Sequence, residues 1–372
     1  MADHFYTSTF SPSRQTSDNA SDYNHPKKVL VDMQLTFLVL AFIMVTVGMI
    51  GNLVIIISGL RLPLTRKKGI TTGSRYYIIN LAMADLCVLV VSSVTNLAPL
   101  LHPWNLGEFM CKMLLPLRDV FILVSLVTIS TLSLERYWLI TRPLQHKGNK
   151  SVAKLVLICI WIAAYLVNGV PLLLLTRLME QPDGSVSCRV NYPSDRLLKV
   201  HVCFGIAIIL VPFIVVTFCY IAIGITLKNV YKKRSQTMLM ACDEAGNKHT
   251  VTLIIRSKRL VKVLIVLVIA FAVCNLPAVL YALVHFFYKI KRFEHQEILF
   301  IFFQCMMVYG SAINPLILLV MASEYRLCMV ELKKHLTKFA NVLCCCSHFK
   351  KELPDQPYCA MLQDKNIPNT PV

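Results

Sequence analysis

The sequence predicts an all-α membrane protein, with a seven-transmembrane helix bundle and a short amphipathic eighth helix. Of its 372 residues, 56% are hydrophobic and 16% are charged, and the mean hydropathy is +0.61. Soluble domains carry about 25% charged residues. The apolar residues fall in long uncharged runs, and a helix of about 20 such residues crosses a hydrocarbon core of about 30 Å.

The predicted spanning helices are the apolar runs at residues 35–60, 76–101, 113–141, 155–175, 202–227, 263–285 and 298–322. Strands of membrane barrels are about 10 residues long and alternate in polarity, whereas these runs are longer and do not alternate. Four runs contain a proline that bends its helix, namely Pro171, Pro212, Pro277 and Pro315. The predicted organisation is a tail at 1–32, the bundle at 33–322, an amphipathic surface helix at 323–343 and a second tail at 344–372.

The charges of the connections predict how the bundle is oriented. The first, third and fifth connections are rich in Lys and Arg, whereas the second and fourth mix acidic and basic side chains. The positive-inside rule therefore predicts a multi-pass plasma-membrane protein with its N-terminus extracellular. Asn19 begins a glycosylation triplet, which fits an external tail. The basic sixth connection departs from the rule.

Several function classes are disfavoured by the sequence. The net charge is +18, but no basic run is interleaved with aromatic residues, so no nucleic-acid partner is expected. No Gly-rich phosphate loop, metal motif or nucleophile–base arrangement is present, so no enzyme activity is expected. A transporter or channel remains a competing hypothesis, although the sequence shows neither inverted repeats nor a continuous polar path.

An acidic residue and two cysteines need a specific explanation. Asp85 lies in the middle of the second run, where a carboxylate costs at least about 2.5 kcal/mol, so it is expected to face the bundle interior and mark function. A protonated and merely tolerated Asp85 is the alternative. Cys111 and Cys188 both fall on the predicted external side, where thiols oxidise, so a disulfide is predicted. Two free thiols are the alternative.

The chain resembles the rhodopsin-like (class A) G-protein-coupled receptors over residues 35–346, through landmarks that occur in order across all seven runs. These are Gly51-Asn52, Asn80 to Asp85, Trp104 to Cys111, Glu135-Arg136-Tyr137, Trp161, Pro171, Pro212, Tyr220, Phe271 to Pro277, and Asn314-Pro315. The general look is closest to the neuropeptide receptors. The resemblance implies a cell-surface receptor that signals through heterotrimeric G proteins.

The resemblance also implies an activation switch. Arg136 resembles the arginine that Glu135 holds inactive and that is released to meet the G protein. Tyr220 resembles the tyrosine that supports Arg136 in the active state. The remaining residues of the predicted switch are Tyr137, Asn275, Pro277, Asn314 and Pro315.

A sodium pocket is a second implication. Asp85, Ser125, Ser311 and Asn314 resemble the residues with which the family binds an allosteric sodium ion. Oxygen ligands around one carboxylate suit a hard cation, so the chemistry agrees with the resemblance. No other cofactor is expected.

The departures from the family pattern affect the switch. Asn275 stands where the family usually has Trp, Leu318 where it usually has Tyr, and Gly310 where an Asn often lines the sodium pocket. The usual acidic residue is also missing near Ser257-Lys258-Arg259. Altered basal activity is therefore predicted, and a constitutively active or decoy receptor-fold protein is an alternative function.

The ligand class is predicted mainly by exclusion. Arg118 stands where monoamine receptors carry Asp, and Val308 where opsins carry the retinal-binding Lys. A peptide ligand is therefore predicted, with a lipid or another small anionic ligand as the alternative. The predicted pocket contains Arg118, Asp119 and Ile122. Arg118 either pairs internally or awaits a ligand carboxylate, and Asp119 is expected to face elsewhere, since one residue turns a helix by about 100°.

The cytoplasmic tail predicts further partners. Residues 323–343 form a basic amphipathic stretch suited to the membrane lipid surface. Cys344, Cys345 and Cys346 at its end are predicted palmitoylation sites, with metal binding as the alternative. The last three residues, 370–372, fit a PDZ-binding ending. Arrestin is a further possible partner, although Ser and Thr are sparse in this tail.

Overall fold

A computed structural model describes residues 24–61, 72–142, 149–181, 184–238, 262–263, 265–281, 283–284 and 296–321. The glycosylation triplet at Asn19, residues 257–259, the amphipathic stretch, Cys344 to Cys346 and the C-terminal ending lie outside these residues. The predictions made for them therefore stay predictions.

The described chain is built from helices and one hairpin. The elements are α1 (Asn24–Arg61), α2 (Thr72–Ser92), α3 (Gly107–Thr141), α4 (Lys150–Ala164, continuing to Leu175), β1 (Thr176–Glu180), β2 (Val186–Val190), α5 (Asp195–Met238), α6 (Ile265–Tyr281) and α7 (Gln296–Met321). Five of the described helices, α1 to α5, are long and apolar enough to cross a membrane, and α6 and α7 contribute shorter apolar segments. The predicted all-α membrane fold is thereby confirmed.

The helices extend beyond the apolar runs that predicted them. α1 begins at Asn24 rather than 35, so the predicted boundary of the N-terminal tail at residue 32 falls inside a helix. α3 begins six residues before its run, at Gly107, and α5 continues to Met238. Hydropathy measures only the part of a helix that lies in hydrocarbon, whereas backbone hydrogen bonding continues into the polar ends.

Two helices contain a wide π turn that the sequence analysis did not predict. Residues Ser93–Leu97 form one before Pro99, and residues Tyr165–Gly169 form another before Pro171. A proline ring clashes with the carbonyl four residues earlier and supplies no N–H. The wider turn accommodates both defects without ending the helix.

Small residues let the first and last helices approach closely. A Cβ atom added at Gly48 would lie 2.7 Å from the Cβ of Ala312, and one added at Gly51 would lie 3.0 Å from Pro315. The Asn52 side-chain amide donates to the backbone oxygen of Ser311 at 3.2 Å. Close backbone approach through small residues is how helices associate when lipid removes the hydrophobic driving force.

The hairpin covers one end of the bundle, which we call the hairpin end. Strands β1 and β2 are antiparallel, with Leu178 opposite Cys188, and Gly184 in the turn has φ of +79°, which favours glycine. Cys188 forms a disulfide with Cys111 of α3, so that prediction is confirmed. The backbone N–H of Trp104 also donates to the oxygen of Val186 at 3.0 Å. The hairpin is therefore held to the start of α3.

Candidate functional site

Asp85 of α2 occupies the centre of a buried polar cluster. Its side chain is fully buried. One carboxylate oxygen accepts a hydrogen bond from the Ser125 hydroxyl of α3 at 2.7 Å, and the other accepts from the Asn314 amide of α7 at 2.8 Å. The Ser311 hydroxyl also interacts with the carboxylate. The structure thus brings together the four residues of the predicted sodium pocket.

The donor set of this cluster fits a small hard cation. The carboxylate and the two hydroxyls offer oxygen atoms alone, which suit sodium better than a transition metal. Within the described part of the chain, no group of three or more His, Cys, Asp or Glu side chains is placed to hold a metal ion. A bound sodium ion would neutralise Asp85 and join α2, α3 and α7 through their side chains.

The predicted switch residues of α3 lie at the opposite end of the bundle, which we call the Arg136 end. Glu135 is 7% exposed and Arg136 is 5% exposed, so both charges are covered. The Ser74 hydroxyl of α2 donates to the Glu135 carboxylate. Gly73 leaves room for this contact, because a Cβ atom there would lie 2.5 Å from a carboxylate oxygen of Glu135.

Helix α5 packs against the same end of α3. The Tyr220 hydroxyl lies 3.1 Å from the Ser133 hydroxyl, one turn before Arg136. The Tyr137 ring lies 6.1 Å from the Phe218 ring, measured between centroids. Tyr220 is therefore already beside the helix that carries Arg136.

The departures from the family pattern are buried between α6 and α7. Asn275 is 5% exposed, and its amide donates to the Phe271 backbone oxygen at 2.9 Å. A Cβ atom at Gly310 would lie 3.7 Å from the Asn275 amide nitrogen. Leu318 is 3% exposed and packs in an apolar cluster with Ile55 and Leu267. The Asn side chain thus lies against the space that Gly310 leaves on α7.

Two of the three residues predicted to line a ligand pocket, Arg118 and Asp119, are charged side chains at the hairpin end. The Arg118 guanidinium bonds the Asp119 carboxylate at 2.7 Å and the Asn96 side-chain oxygen at 2.7 Å. Arg118 is therefore paired within the protein, which is one of the two possibilities that the sequence left open for it. The Arg118 side chain reaches the next residue along the helix, and the expectation that Asp119 faces a different side of the helix stays a prediction. Ile122 lies one turn below Arg118 and is half-buried.

Helix α5 adds a residue to this cluster that the sequence analysis missed. Its His201 lies close enough to Asp119 for their charges to interact. The His201 ring also packs against Tyr192, with centroids 5.4 Å apart. A histidine directly before an apolar run was a visible signal. Its partner was not, because the pairing depends on how α3 and α5 face each other.

Arg189 of β2 was also missed, and its environment differs from that of Arg118. It is 7% exposed, and burial lowers the pKa of its guanidinium, although arginine stays cationic at neutral pH. Within the described residues, Arg189 forms no side-chain hydrogen bond or ion pair. Its neighbour Cys188 gave a sequence signal, because the disulfide with Cys111 holds this strand to α3.

A further bridge joins three helices around Asn80. The Trp161 indole of α4 donates to the Asn80 side-chain oxygen at 2.9 Å, and the Asn80 amide donates to Thr128 of α3 at 2.9 Å. Asn80 and Trp161 had been noted only as family landmarks. The structure shows that one side chain of α2 satisfies partners on both neighbouring helices.

Comparisons with known proteins agree with this arrangement. The family model of the 7 transmembrane receptors (rhodopsin family) matches residues 51–318. The Substance-P receptor of Cavia porcellus is 26% identical over 295 residues, which cover 77% of this chain and 67% of the relative. G-protein coupled receptor 54 of Oreochromis niloticus is 28% identical over 341 residues, or 85% and 82% of the two chains.

A third relative, the Substance-K receptor of Mesocricetus auratus, is 28% identical over 265 residues, which cover 68% of this chain and 65% of the relative. The matched family span begins in α1 and ends at Leu318 in α7, so it includes the Asp85 cluster, the Arg136 end and the hairpin. Its members are receptors, which confirms that the chain is not an enzyme. This chain belongs to the rhodopsin family of seven-transmembrane receptors.

Proposed function

We propose that this receptor is activated by an extracellular peptide and signals through heterotrimeric G proteins at the plasma membrane. In this proposal the N-terminus and the hairpin end are extracellular, and the Arg136 end is cytoplasmic. The cluster of polar side chains at the hairpin end is the observation that carries the proposal. Arg118 bonds both Asp119 and Asn96 there, and the hairpin is tied to the same helix, α3, by Cys111 and Cys188.

A peptide suits this cluster of polar side chains better than a small apolar ligand does. Peptides present backbone amides and charged side chains, which can hydrogen-bond to polar side chains such as Arg118, Asp119 and Asn96. Two of the related proteins are named for substance P and substance K. Val308 on α7 offers no amine for a Schiff base, so a retinal ligand is not proposed. A lipid or small anionic ligand is the competing class.

The Asp85 cluster would couple the two ends. Asp85 contacts α3 through Ser125 and α7 through Asn314. A ligand that shifts α3 or α7 at the hairpin end therefore changes distances around this carboxylate. We propose that sodium at Asp85 stabilises the conformation in which Arg136 is covered, so that agonist binding and sodium binding oppose each other.

Other partners are proposed from sequence features outside the described residues. Palmitoylation at Cys344, Cys345 and Cys346 would hold the amphipathic stretch on the membrane lipid. A PDZ domain would bind the C-terminal ending, and arrestin would bind the activated receptor. Glycosylation of Asn19 would accompany an extracellular N-terminus.

The proposal is tested by a peptide-library screen in cells that report calcium and cAMP. Arg136→Ala is the control, because it removes the side chain proposed to meet the G protein while leaving the hairpin end intact. Peptide signals that disappear in Arg136→Ala are expected. Signals that survive this substitution would contradict ordinary G-protein coupling, and a lipid that activates the receptor where peptides do not would favour the competing ligand class.

A second candidate function follows from Asn275 and Leu318. Both lie buried where family members usually carry larger aromatic side chains. A receptor with these replacements is a candidate for constitutive signalling or for ligand capture without signalling. Measuring second messengers without ligand separates these cases, because a decoy gives no signal above untransfected cells and a constitutive receptor gives one that scales with surface expression.

A further inference from the structure

The hairpin holds a buried cation without a counter-charge in the described part of the molecule. Arg189 is 7% exposed and forms no side-chain hydrogen bond or ion pair with any described residue. Removing a charge from water is strongly unfavourable unless it is paired and hydrogen-bonded. Arg118, which lies at the same end of the bundle, shows how such a cation is usually accommodated, because two oxygen acceptors bond its guanidinium.

The strand register places a second cation beside Arg189. Arg177 of β1 lies directly opposite Arg189, and opposed residues of antiparallel strands share one face of the hairpin. Like charges in this arrangement repel each other. The Arg177 guanidinium donates to the Thr176 backbone oxygen and lies within electrostatic range of Glu108. Glu108 in turn bonds Lys112, so this acidic group is already engaged elsewhere.

A guanidinium in these surroundings is suited to bind an anion. Its planar N–H donors match the two oxygens of a carboxylate. The opposing Arg177 would then change from a repelling neighbour into a second cation near the same anion. Carboxylates occur in peptides as Asp and Glu side chains and as free C-termini.

We propose that Arg189 binds a carboxylate of the activating peptide beneath the hairpin. The inference rests on the proposed function, since it takes the ligand to be a peptide. It assigns the anchoring role to a residue of β2 rather than to Arg118, whose charge Asp119 already balances. The site differs in this respect from the pocket that the sequence predicted.

The first test uses purified receptor without any peptide. Thermal unfolding is measured for the wild type, Arg189→Gln and Arg118→Gln. An unpaired cation predicts that Arg189→Gln unfolds at the same temperature as the wild type or higher, whereas Arg118→Gln unfolds at a lower one because it strips Asp119 of its partner. An unfolding temperature that falls as far in Arg189→Gln as in Arg118→Gln would show that Arg189 has a structural partner, and would overturn the inference.

The same samples are then titrated with N-acetylglycine and with its amide, N-acetylglycinamide, at constant ionic strength. A carboxylate site predicts that the acid raises the unfolding temperature of the wild type and the amide does not. Arg189→Gln is expected to lose this difference. Equal effects of acid and amide on the wild type would argue against the site.

The second test uses the peptide pools of the functional screen, in matched chemical forms. Each activating peptide is made with a free or amidated C-terminus, and with Asp and Glu replaced by Asn and Gln. One of these changes is expected to raise the peptide concentration for half-maximal activation at least tenfold in the wild type. In Arg189→Gln the same change is expected to have little effect, because the two partners of one interaction are coupled in a double-mutant cycle. The change that matters identifies the C-terminus or a side chain as the source of the carboxylate.

The two tests separate failure of this inference from failure of the proposed function. Peptides that activate the receptor with no dependence on any carboxylate would overturn the Arg189 assignment and leave the peptide receptor intact. Acid-specific stabilisation through Arg189, with no activating peptide in the pools, would support the anion site and count against the peptide as its occupant.

Discussion

Gly73 leaves room for the Glu135 carboxylate, so substituting it should raise ligand-free signalling. A Cβ atom at residue 73 would lie 2.5 Å from a Glu135 oxygen, and real Cβ contacts essentially never fall below 3.0 Å. Gly73→Ala therefore displaces this carboxylate by at least the difference, about 0.5 Å. The hydrogen bond from Ser74 to the same carboxylate would stretch or break.

The size of the effect follows from the bond that is lost. A hydrogen bond to a charged group contributes about 1.5–3 kcal/mol, and each 1.4 kcal/mol corresponds to about tenfold in an equilibrium. Arg136 is 5% exposed, so the arginine is covered in this conformation. Destabilising this conformation shifts the population toward one in which Arg136 is exposed. We expect ligand-free signalling to rise roughly tenfold in Gly73→Ala.

The assay is nucleotide exchange on a G protein in membranes from cells without ligand, normalised to receptor at the surface. Ser74→Ala removes the same hydrogen bond without adding an atom, and should give a rise of similar size. Gly224→Ala is the matched control, because a Cβ atom at this glycine of α5 meets nothing within 4 Å. Gly73→Ala and Ser74→Ala that signal no more than Gly224→Ala would refute the reasoning.

Three further predictions concern other parts of the bundle. Asp85→Asn should abolish the stabilisation that sodium chloride, compared with choline chloride, gives in thermal unfolding; a sodium shift that persists in this variant would place the ion elsewhere. Asn275→Trp combined with Leu318→Tyr should change ligand-free signalling, and an unchanged baseline would contradict a role for these departures in the switch. Asn80→Ala should lower the free energy of unfolding by about 1–2 kcal/mol, because two interhelical hydrogen bonds at about 0.6 kcal/mol each are lost together with packing. Trp161→Phe loses one of these hydrogen bonds and should lower the free energy of unfolding by about half as much. Equal losses in the two variants would exclude the bridging role of Asn80.

The interior polar residues could be predicted from the sequence, because the membrane penalises them. Asp85 was expected to face inward, and it does, since a carboxylate has few stable places in hydrocarbon. Cys111 and Cys188 were predictable for a related reason, as both fall on one predicted side of the membrane.

The charged residues of the hairpin end could not be predicted in the same way. Arg118 and Asp119 are adjacent, and a long flexible side chain can pair with its neighbour despite the turn of about 100° between them. Arg189 looked like any loop residue, because its burial depends on how the hairpin lies over α3. The π turns needed knowledge of which carbonyls the rings of Pro99 and Pro171 would meet.

The close packing of α1 on α7 has a mechanical consequence. Gly48 and Gly51 bring the two backbones together, and Asn52 crosses between them, so sliding one past the other would create clashes and break the hydrogen bond from Asn52 to Ser311. Asn314 extends this stiff unit to α2 through Asp85. On the other side, α5 meets α3 through a neutral hydroxyl pair and apolar rings. We therefore expect α1 and α7 to move as one unit, and helices to slide past each other more easily on the side that carries Tyr220.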